Sequence, residues 1–236
     1  MKYSLQDLCN KIIAESDKPV LFLDTCVLLD VIRVSSRDGA NVNTISTVND
    51  LVNTDSMWLI ISDVVNSEWL ENVDKVYSEA DKHLKSLGKG LVQFQSALAQ
   101  LPSLGTFSYT KRPHDYNVPS QLKDLSNQLR EKALVIDFDT ECAGKAMLRV
   151  VSNKAPSALG KDESKDCTIY EHYLELGRQL RSASFSNEIV FASSNKADFG
   201  EPAKLRAPID SELSELNISF VNSLPWALSL VQRSAL

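Results

Sequence analysis

Residues 18–33 read KPVLFLDTCVLLDVIR and place a carboxylate directly after four apolar side chains. The apolar run 20–23 has no polar alternation, which is typical of a strand buried on both faces inside a parallel sheet. Asp24 would then lie at the carboxyl end of that strand, and Thr25 is placed to cap the helix that follows. We therefore ask whether Asp24 serves the helix or binds a ligand.

The composition is that of an ordinary globular protein, with 236 residues, 43% hydrophobic and 24% charged. No apolar run approaches the roughly 20 residues that span a bilayer, and the N-terminus lacks the apolar core of a secretion signal. The four cysteines are scattered without a CxxC pair, which favours a reducing cytoplasm. A net charge of −6 argues against coating nucleic acid through bulk charge, although an enzyme can grip it locally.

Five apolar segments separated by helical patterns predict a five-stranded parallel sheet with helices on both faces, a three-layer α/β/α arrangement. The predicted strands are 19–24, 57–62, 133–138, 187–193 and 217–222. We expect a single domain over residues 1–236, with an N-terminal helix at 4–16 and a helical elaboration at about 72–132. Within the elaboration, the helix is predicted to break near 88–90.

Acidic and amide side chains recur where such a sheet would bind a ligand, beyond the carboxyl ends of its strands. Glu68 follows the second strand, Asp166 lies on the core-facing side of the helix before the fourth strand, and Asn195 and Asp198 follow that strand. With Asp24 they are predicted to form one acidic cluster. Clustered carboxylates repel one another, and Mg²⁺ or Mn²⁺ would offset this repulsion while binding a phosphate oxygen. Such a site can hydrolyse a phosphodiester.

Each of these side chains also has a simpler interpretation. Asp24 can merely cap its helix, and Asp166 suits the dipole of a helix N-terminus. Glu68 can be one of several solvated acids on its helix, and Asn195 and Asp198 are ordinary turn residues.

Further side chains are candidates for substrate contact around the predicted cluster. Lysines flank the acids, two hydroxyls adjoin them, and an arginine in the loop TKRPHDY can contact a phosphate, although a mixed polar loop explains that arginine equally well. These candidates are Thr25, Lys161, Lys165, Ser194, Lys196 and Arg112. Other polar groups are expected to face solvent, namely Asp162, Glu163, Glu171, His172 and Glu175.

Several alternative chemistries lack their sequence motifs. There is no GxGxxG for a dinucleotide, no GxxxxGK[ST] for a nucleoside triphosphate, and no GxSxG for a serine hydrolase.

The motifs VLFLDTCVLLDVI, SKDCTIYEHYLEL and EIVFASSNKADFGE, with a glutamate after the second strand, resemble the successive motifs of PIN-domain nucleases. The nearest likeness is to the larger bacterial members related to toxin-type RNases, and it covers the first 70 residues and about 133–222. The resemblance implies a five-stranded parallel sheet and Mg²⁺- or Mn²⁺-dependent cleavage of single-stranded RNA or, in some branches, of DNA flaps. It also implies an antitoxin-like protein inhibitor and a homodimer as partners.

Carried over residue by residue, the resemblance makes Asp24, Glu68 and Asp166 the first three acids and the metal ligands. The fourth position, often Asp in the family, is Asn195 here, and Asp198 is a candidate to supply the missing charge. Two functions stay open at this point. One is a metal-dependent endoribonuclease in which Asn195 or Asp198 positions water, and the other is a degenerate module that binds RNA or a protein without cutting.

Overall fold

The computed structural model describes residues 1–158 and 163–233, apart from the side chains of Pro102 and Arg233. Its strands are short, and the central ones are apolar and buried throughout. They are β1 (Lys2–Tyr3), β2 (Val20–Leu23), β3 (Trp58–Ser62), β4 (Leu134–Ile136), β5 (Ile189–Ala192), β6 (Gly200–Glu201), β7 (Lys204–Leu205) and β8 (Ile218–Val221).

Helices connect the strands and cover the sheet. They are α1 (Leu5–Ala14), α2 (Thr25–Arg33), α3 (Asn43–Asn53), α4 (Asp63–Ala99), α5 (Val118–Lys132), α6 (Thr140–Val151), α7 (Ser164–Ser182), α8 (Lys196–Phe199), α9 (Ile209–Glu215) and α10 (Leu224–Arg233), with 3-10 turns at Pro102–Leu104 and Pro113–Tyr116. Within the part of the chain that the structure describes, none of these helices is long and apolar enough to cross a membrane.

The main sheet is parallel throughout, in the order β1-β4-β3-β2-β5-β8. Strand β2 is central, so the residue after it lies between the carboxyl ends of β3 and β5. The remaining two strands, β6 and β7, form a small antiparallel pair. This topology brings the segments that follow β2, β3 and β5 to one edge of the sheet.

The predicted three-layer fold is confirmed, and the five predicted strands correspond to β2, β3, β4, β5 and β8. The count of five is wrong, because the two-residue β1 adds a sixth strand at the edge beside β4. A two-residue strand that leads directly into a helix is too short to show any periodicity in its sequence.

The predicted break near residues 88–90 is also wrong, since α4 runs without interruption for 37 residues. A glycine inside a helix costs only about 1 kcal/mol relative to alanine, so it weakens a helix without ending it. Packing also supports this part of α4, because Gly88 lies so close to His114 that an added Cβ would be 3.1 Å from its ring nitrogen.

Two buried hydrogen bonds join α5 of the elaboration to two other helices. The Trp69 indole N–H donates to Ser126 Oγ at 2.9 Å, and the Ser126 hydroxyl donates to the Leu28 carbonyl at 2.7 Å. These bonds connect α4, α5 and α2.

Tyr173 holds α7 against the carboxyl edge of the sheet. Its ring stacks on Phe22 at a centroid distance of 4.7 Å. Its hydroxyl donates to the Leu23 carbonyl at 2.5 Å and accepts the Ser62 N–H at 3.2 Å. Because residues seven apart share a helix face, Asp166 is held above the same edge.

Candidate active site

Asp24 caps α2 and also faces the other acids. Its Oδ1 accepts the Thr25 N–H at 2.7 Å, and its Oδ2 accepts the Ser193 hydroxyl at 2.6 Å and the Cys26 thiol at 3.0 Å. The residue is only 2% exposed. Burial raises the pKa of the Asp24 carboxyl group, and the nearby charge of Asp198 raises it further. The cap and the ligand are therefore compatible roles for one side chain.

Glu68 approaches Asp24 from the second turn of α4. Its Oε2 accepts the Thr25 hydroxyl at 2.7 Å, and its Oε1 lies 4.0 Å from the Lys165 Nζ. Burial is the main cause that raises the pKa of Glu68, and the charge of Asp24 adds to it. Thr25 thus connects the first two acids directly.

Asp166 shows most clearly how the acids converge. Burial raises its pKa to about 8, and the next causes are the charges of Asp24, Asp198, Glu68 and Glu163. A carboxyl group influenced by four others lies within one acidic cluster. Three of those four were predicted site residues, and α7 brings Asp166 to them through its first turn.

Glu163 is an acid that the sequence reasoning placed wrongly. It was expected to face solvent, but it is 8% exposed and its charge acts on Asp166. Its position three residues before Asp166, at the start of the same helix, was the available signal, because residues at that spacing share a face. Asp162, with the same expectation, lies outside the described residues.

Asn195 and Asp198 act together after β5. The Asn195 side-chain amide donates to Asp198 Oδ2, and its backbone N–H donates to Ser193 Oγ at 3.2 Å. Asp198 is 6% exposed, and its charge raises the pKa of both Asp24 and Asp166. One turn of α8 therefore presents the carboxylate of Asp198 to the cluster and uses Asn195 to hold it.

The predicted substrate contacts are spread around the site. Lys165 is half exposed and donates to Glu71 at 2.8 Å, beside Glu68. Lys196 pairs with Glu201 at 2.7 Å. The Ser194 hydroxyl donates to Asp30 Oδ2 at 2.6 Å rather than to one of the predicted site acids.

The two further candidates are Lys161 and Arg112. Lys161 lies outside the described residues. Arg112 lines a groove with Gly88 on the outer part of α4. Twenty residues of helix separate Gly88 from Glu68, which corresponds to about 30 Å.

Two groups that were expected on the surface are buried in α7, and both expectations are wrong. Glu171 is 5% exposed and pairs with the equally buried Arg149. His172 is fully buried, with Nδ1 2.8 Å from Ser62 Oγ, and its Nε2 accepts the Asp139 N–H at 3.3 Å. His172 therefore supports Ser62, whose side chain caps the helix that carries Glu68.

The donor set matches a hard divalent cation, because every acid in the cluster offers oxygen. Within residues 1–158 and 163–233, however, no three Asp, Glu, His or Cys side chains already form a group that would hold a metal ion. In this structure the hydroxyl groups of Thr25 and Ser193 donate to Glu68 and Asp24.

A protein-family model described as PIN domain matches residues 21–199, a span that contains all of these acids. The chain belongs to the PIN-domain family. This is a nuclease-type family whose members generally use divalent metals. No curated protein and no solved structure gives a significant match to the chain.

Proposed function

We propose that this PIN-domain protein is a metal-dependent endonuclease that hydrolyses phosphodiester bonds in single-stranded RNA, with Mg²⁺ or Mn²⁺ as its cofactor. The observation that carries the proposal is the geometry around Asp24, where the Thr25 N–H and the Ser193 hydroxyl donate to Asp24 while the Thr25 hydroxyl donates to Glu68. Burial and four neighbouring carboxylates raise the pKa of Asp166 to about 8. Carboxylates are buried together in this way where a cation offsets their repulsion.

Asp24, Glu68 and Asp166 are the proposed metal ligands, with Asp198 completing the set. A bound cation would lower the pKa of its water and neutralise charge on the phosphate during cleavage. Asn195 orients Asp198 through its amide, which places the acid expected at the fourth family position one helical turn later in the chain.

Neighbouring side chains position the proposed ligands. Ser193 and the Thr25 N–H fix the two oxygens of Asp24, and the Thr25 hydroxyl fixes Glu68. Lys165 is the cation best placed to meet a phosphate, because it lies beside Glu68 with half of its side chain exposed. Arg112 would contact RNA only at a distance from the cleavage point.

The alternative function is a degenerate PIN-like module that binds RNA or a protein without cutting it. Asn195 at the fourth position favours this alternative. Asp198 argues against it, because its charge reaches both Asp24 and Asp166. Under our proposal, Asp198→Asn therefore abolishes cleavage, whereas Asn195→Asp leaves cleavage intact.

Calorimetric Mn²⁺ binding and RNA cleavage test the proposal with the full chain. We expect the wild type to bind Mn²⁺ and cut RNA, and both Asp24→Asn and Asp166→Asn to lose both properties while circular dichroism shows them folded. Asp74→Asn is the matched control, since Asp74 lies on the helix of Glu68 with its side chain 82% exposed. A folded wild type that binds no Mn²⁺ would favour the degenerate module.

The biological setting is a separate part of the proposal. RNA is the proposed substrate, and DNA flaps are the substrate to compare with it in the same assay. An antitoxin-like inhibitor and a homodimer are proposed as partners, as in toxin-type relatives. A cytoplasmic location is supported by four cysteines that are all free thiols.

A further inference from the structure

A cavity of about 280 Å³ lies next to Ser194 and Lys196, which belong to the segment after β5 that also carries Asn195 and Asp198. Its walls come from α2, the loop 34–42, the start of α3 and the residues that follow β5 and β8. Val27 and Leu224, each 2% exposed, give it an apolar floor. Ligand sites in proteins combine such apolar surfaces with a few polar groups, and the volume is near their lower limit of about 300 Å³. The cavity therefore suits a ligand the size of one nucleotide or smaller.

Asp30 organises the charged side of this cavity. Its Oδ1 accepts from Arg33 at 3.1 Å and from Arg37 at 3.0 Å, and its Oδ2 accepts the Ser194 hydroxyl at 2.6 Å. A guanidinium has five N–H donors, so a bond to Asp30 leaves donors of each arginine for a further anion. Two guanidinium groups held side by side in this way match a phosphate.

Amide and hydroxyl groups also line this cavity. They are contributed by Asn41, Thr44, Asn222 and Ser223. Such groups hydrogen-bond the edges of an unpaired base, while apolar side chains cover its face. The lining thus provides one surface for a phosphate and another for a base.

Two features relate the position of the cavity to that of Asp24. Asp30 follows Asp24 by six residues of helix, which is about 9 Å along the axis. Ser194 lines the cavity, and the adjacent Ser193 donates to Asp24. An RNA strand with its scissile phosphate at Asp24 would need to extend about 9 Å along α2 to reach the cavity.

We propose that this cavity is a nucleotide subsite, which binds the nucleotide next to the scissile phosphate and selects its base. The position relative to a scissile phosphate rests on the proposed nuclease function. The nucleotide chemistry itself rests on the cavity, its paired arginines and its amide lining.

Binding of the four nucleoside 5′-monophosphates to the full chain, measured by ligand-observed NMR with EDTA present, tests this subsite without metal or cleavage. We expect one nucleotide to bind most tightly and inorganic phosphate not to displace it at equal concentration. Arg37→Ala should weaken binding by about tenfold, since it removes a charge-assisted hydrogen bond. Ala40→Phe should weaken it as well by filling the cavity.

The matched control is Arg178→Ala, because Arg178 pairs with Glu175 at the same i,i+3 spacing as Arg33 with Asp30 but lies outside the cavity. Binding by Arg37→Ala equal to that of the wild type would overturn the proposal, and so would equal binding of all four nucleotides and phosphate. Nucleotide binding by a protein that cuts no RNA with Mn²⁺ would reject the nuclease function and keep the subsite. RNA cleavage without nucleotide binding would reject the subsite and keep the nuclease function.

Discussion

Replacing Asp166 by asparagine should stabilise the metal-free protein at alkaline pH, although it should destroy the proposed metal site. Folding raises the pKa of Asp166 from 3.8 to about 8, with burial as the main cause and neighbouring carboxylates as the next. The carboxylate is thus less favourable in the folded chain than in the unfolded chain. The asparagine side chain has a similar shape and no charge to bury.

The size of the effect follows from the pKa shift. A shift of about four units corresponds to roughly 5–6 kcal/mol at about 1.4 kcal/mol per unit, as an upper value. Because folding raises the pKa of an acid here, the stabilising effect of the protonated form is complete below pH 3.8 and is lost as the pH rises through about 8. The neighbouring acids share this cost. We therefore expect Asp166→Asn to raise the free energy of unfolding at alkaline pH by about 2 kcal/mol, which corresponds to roughly 4–8 °C in melting temperature.

Thermal unfolding followed by circular dichroism in EDTA, at pH 5 and at pH 8.5, measures this difference. Asp166→Asn should melt above the wild type at pH 8.5, and the difference should shrink at pH 5. Adding Mn²⁺ should raise the melting temperature of the wild type and leave that of the variant nearly unchanged, because ligand binding stabilises only the state that binds. Equal melting temperatures at both pH values in EDTA would refute the reasoning.

Three further predictions concern the scaffold around the site. An added Cβ at Gly177 would lie 2.8 Å from Ile218 Cδ1, so Gly177→Ala should lower the free energy of unfolding by about 1–3 kcal/mol, and Ile218→Val should restore part of it in urea titrations. Gly90 has nothing within 4 Å of an added Cβ, so Gly90→Ala should slow amide exchange at the outer end of α4 by stabilising it by about 0.5–1 kcal/mol; unchanged exchange would count against the continuous helix. Burial lowers the pKa of His172, because the folded chain favours the neutral imidazole. The stabilisation by the neutral imidazole is therefore present above about pH 6.5 and is lost as the pH falls through the pKa of His172 in the folded chain. Urea midpoints between pH 7 and pH 5 should accordingly fall less for His172→Gln than for the wild type, and parallel curves would contradict this.

The strands were predictable because they are buried on both faces. An uninterrupted apolar run such as residues 20–23 has one structural interpretation in a chain with alternating helices, and it directly identifies the residue that follows as lying at the sheet edge. The position of Asp24 followed from this alone, whereas Glu68 also needed its helical spacing to the apolar Val64 and Val65. Asp166 needed one more step, the shared face with the buried Tyr173 seven residues later.

The remaining site residues depended on side-chain contacts that a sequence pattern does not contain. Asp198 and Asn195 were equally plausible in sequence, and only the structure shows that the Asn195 amide donates to the Asp198 carboxylate, whose charge acts on Asp24 and Asp166. Glu171 was expected on a solvated face because Glu175 follows it at i+4 spacing, but Arg149 pairs with it from another helix. A distant ion-pair partner of this kind is what makes a buried acid tolerable, and its position depends on tertiary packing.

The same hydrogen bonds that make Asp24 a helix cap also make it a suitable metal ligand. A carboxylate has about four lone-pair positions, and donors from Thr25, Ser193 and Cys26 occupy three of them. These bonds favour the charged form and fix its orientation, while burial and Asp198 disfavour the charge. The opposing effects leave an oriented carboxylate with one position available for a cation. Since Ser193→Ala would remove one donor without removing any charge, we expect it to weaken Mn²⁺ binding without abolishing it, whereas Asp24→Asn should abolish it.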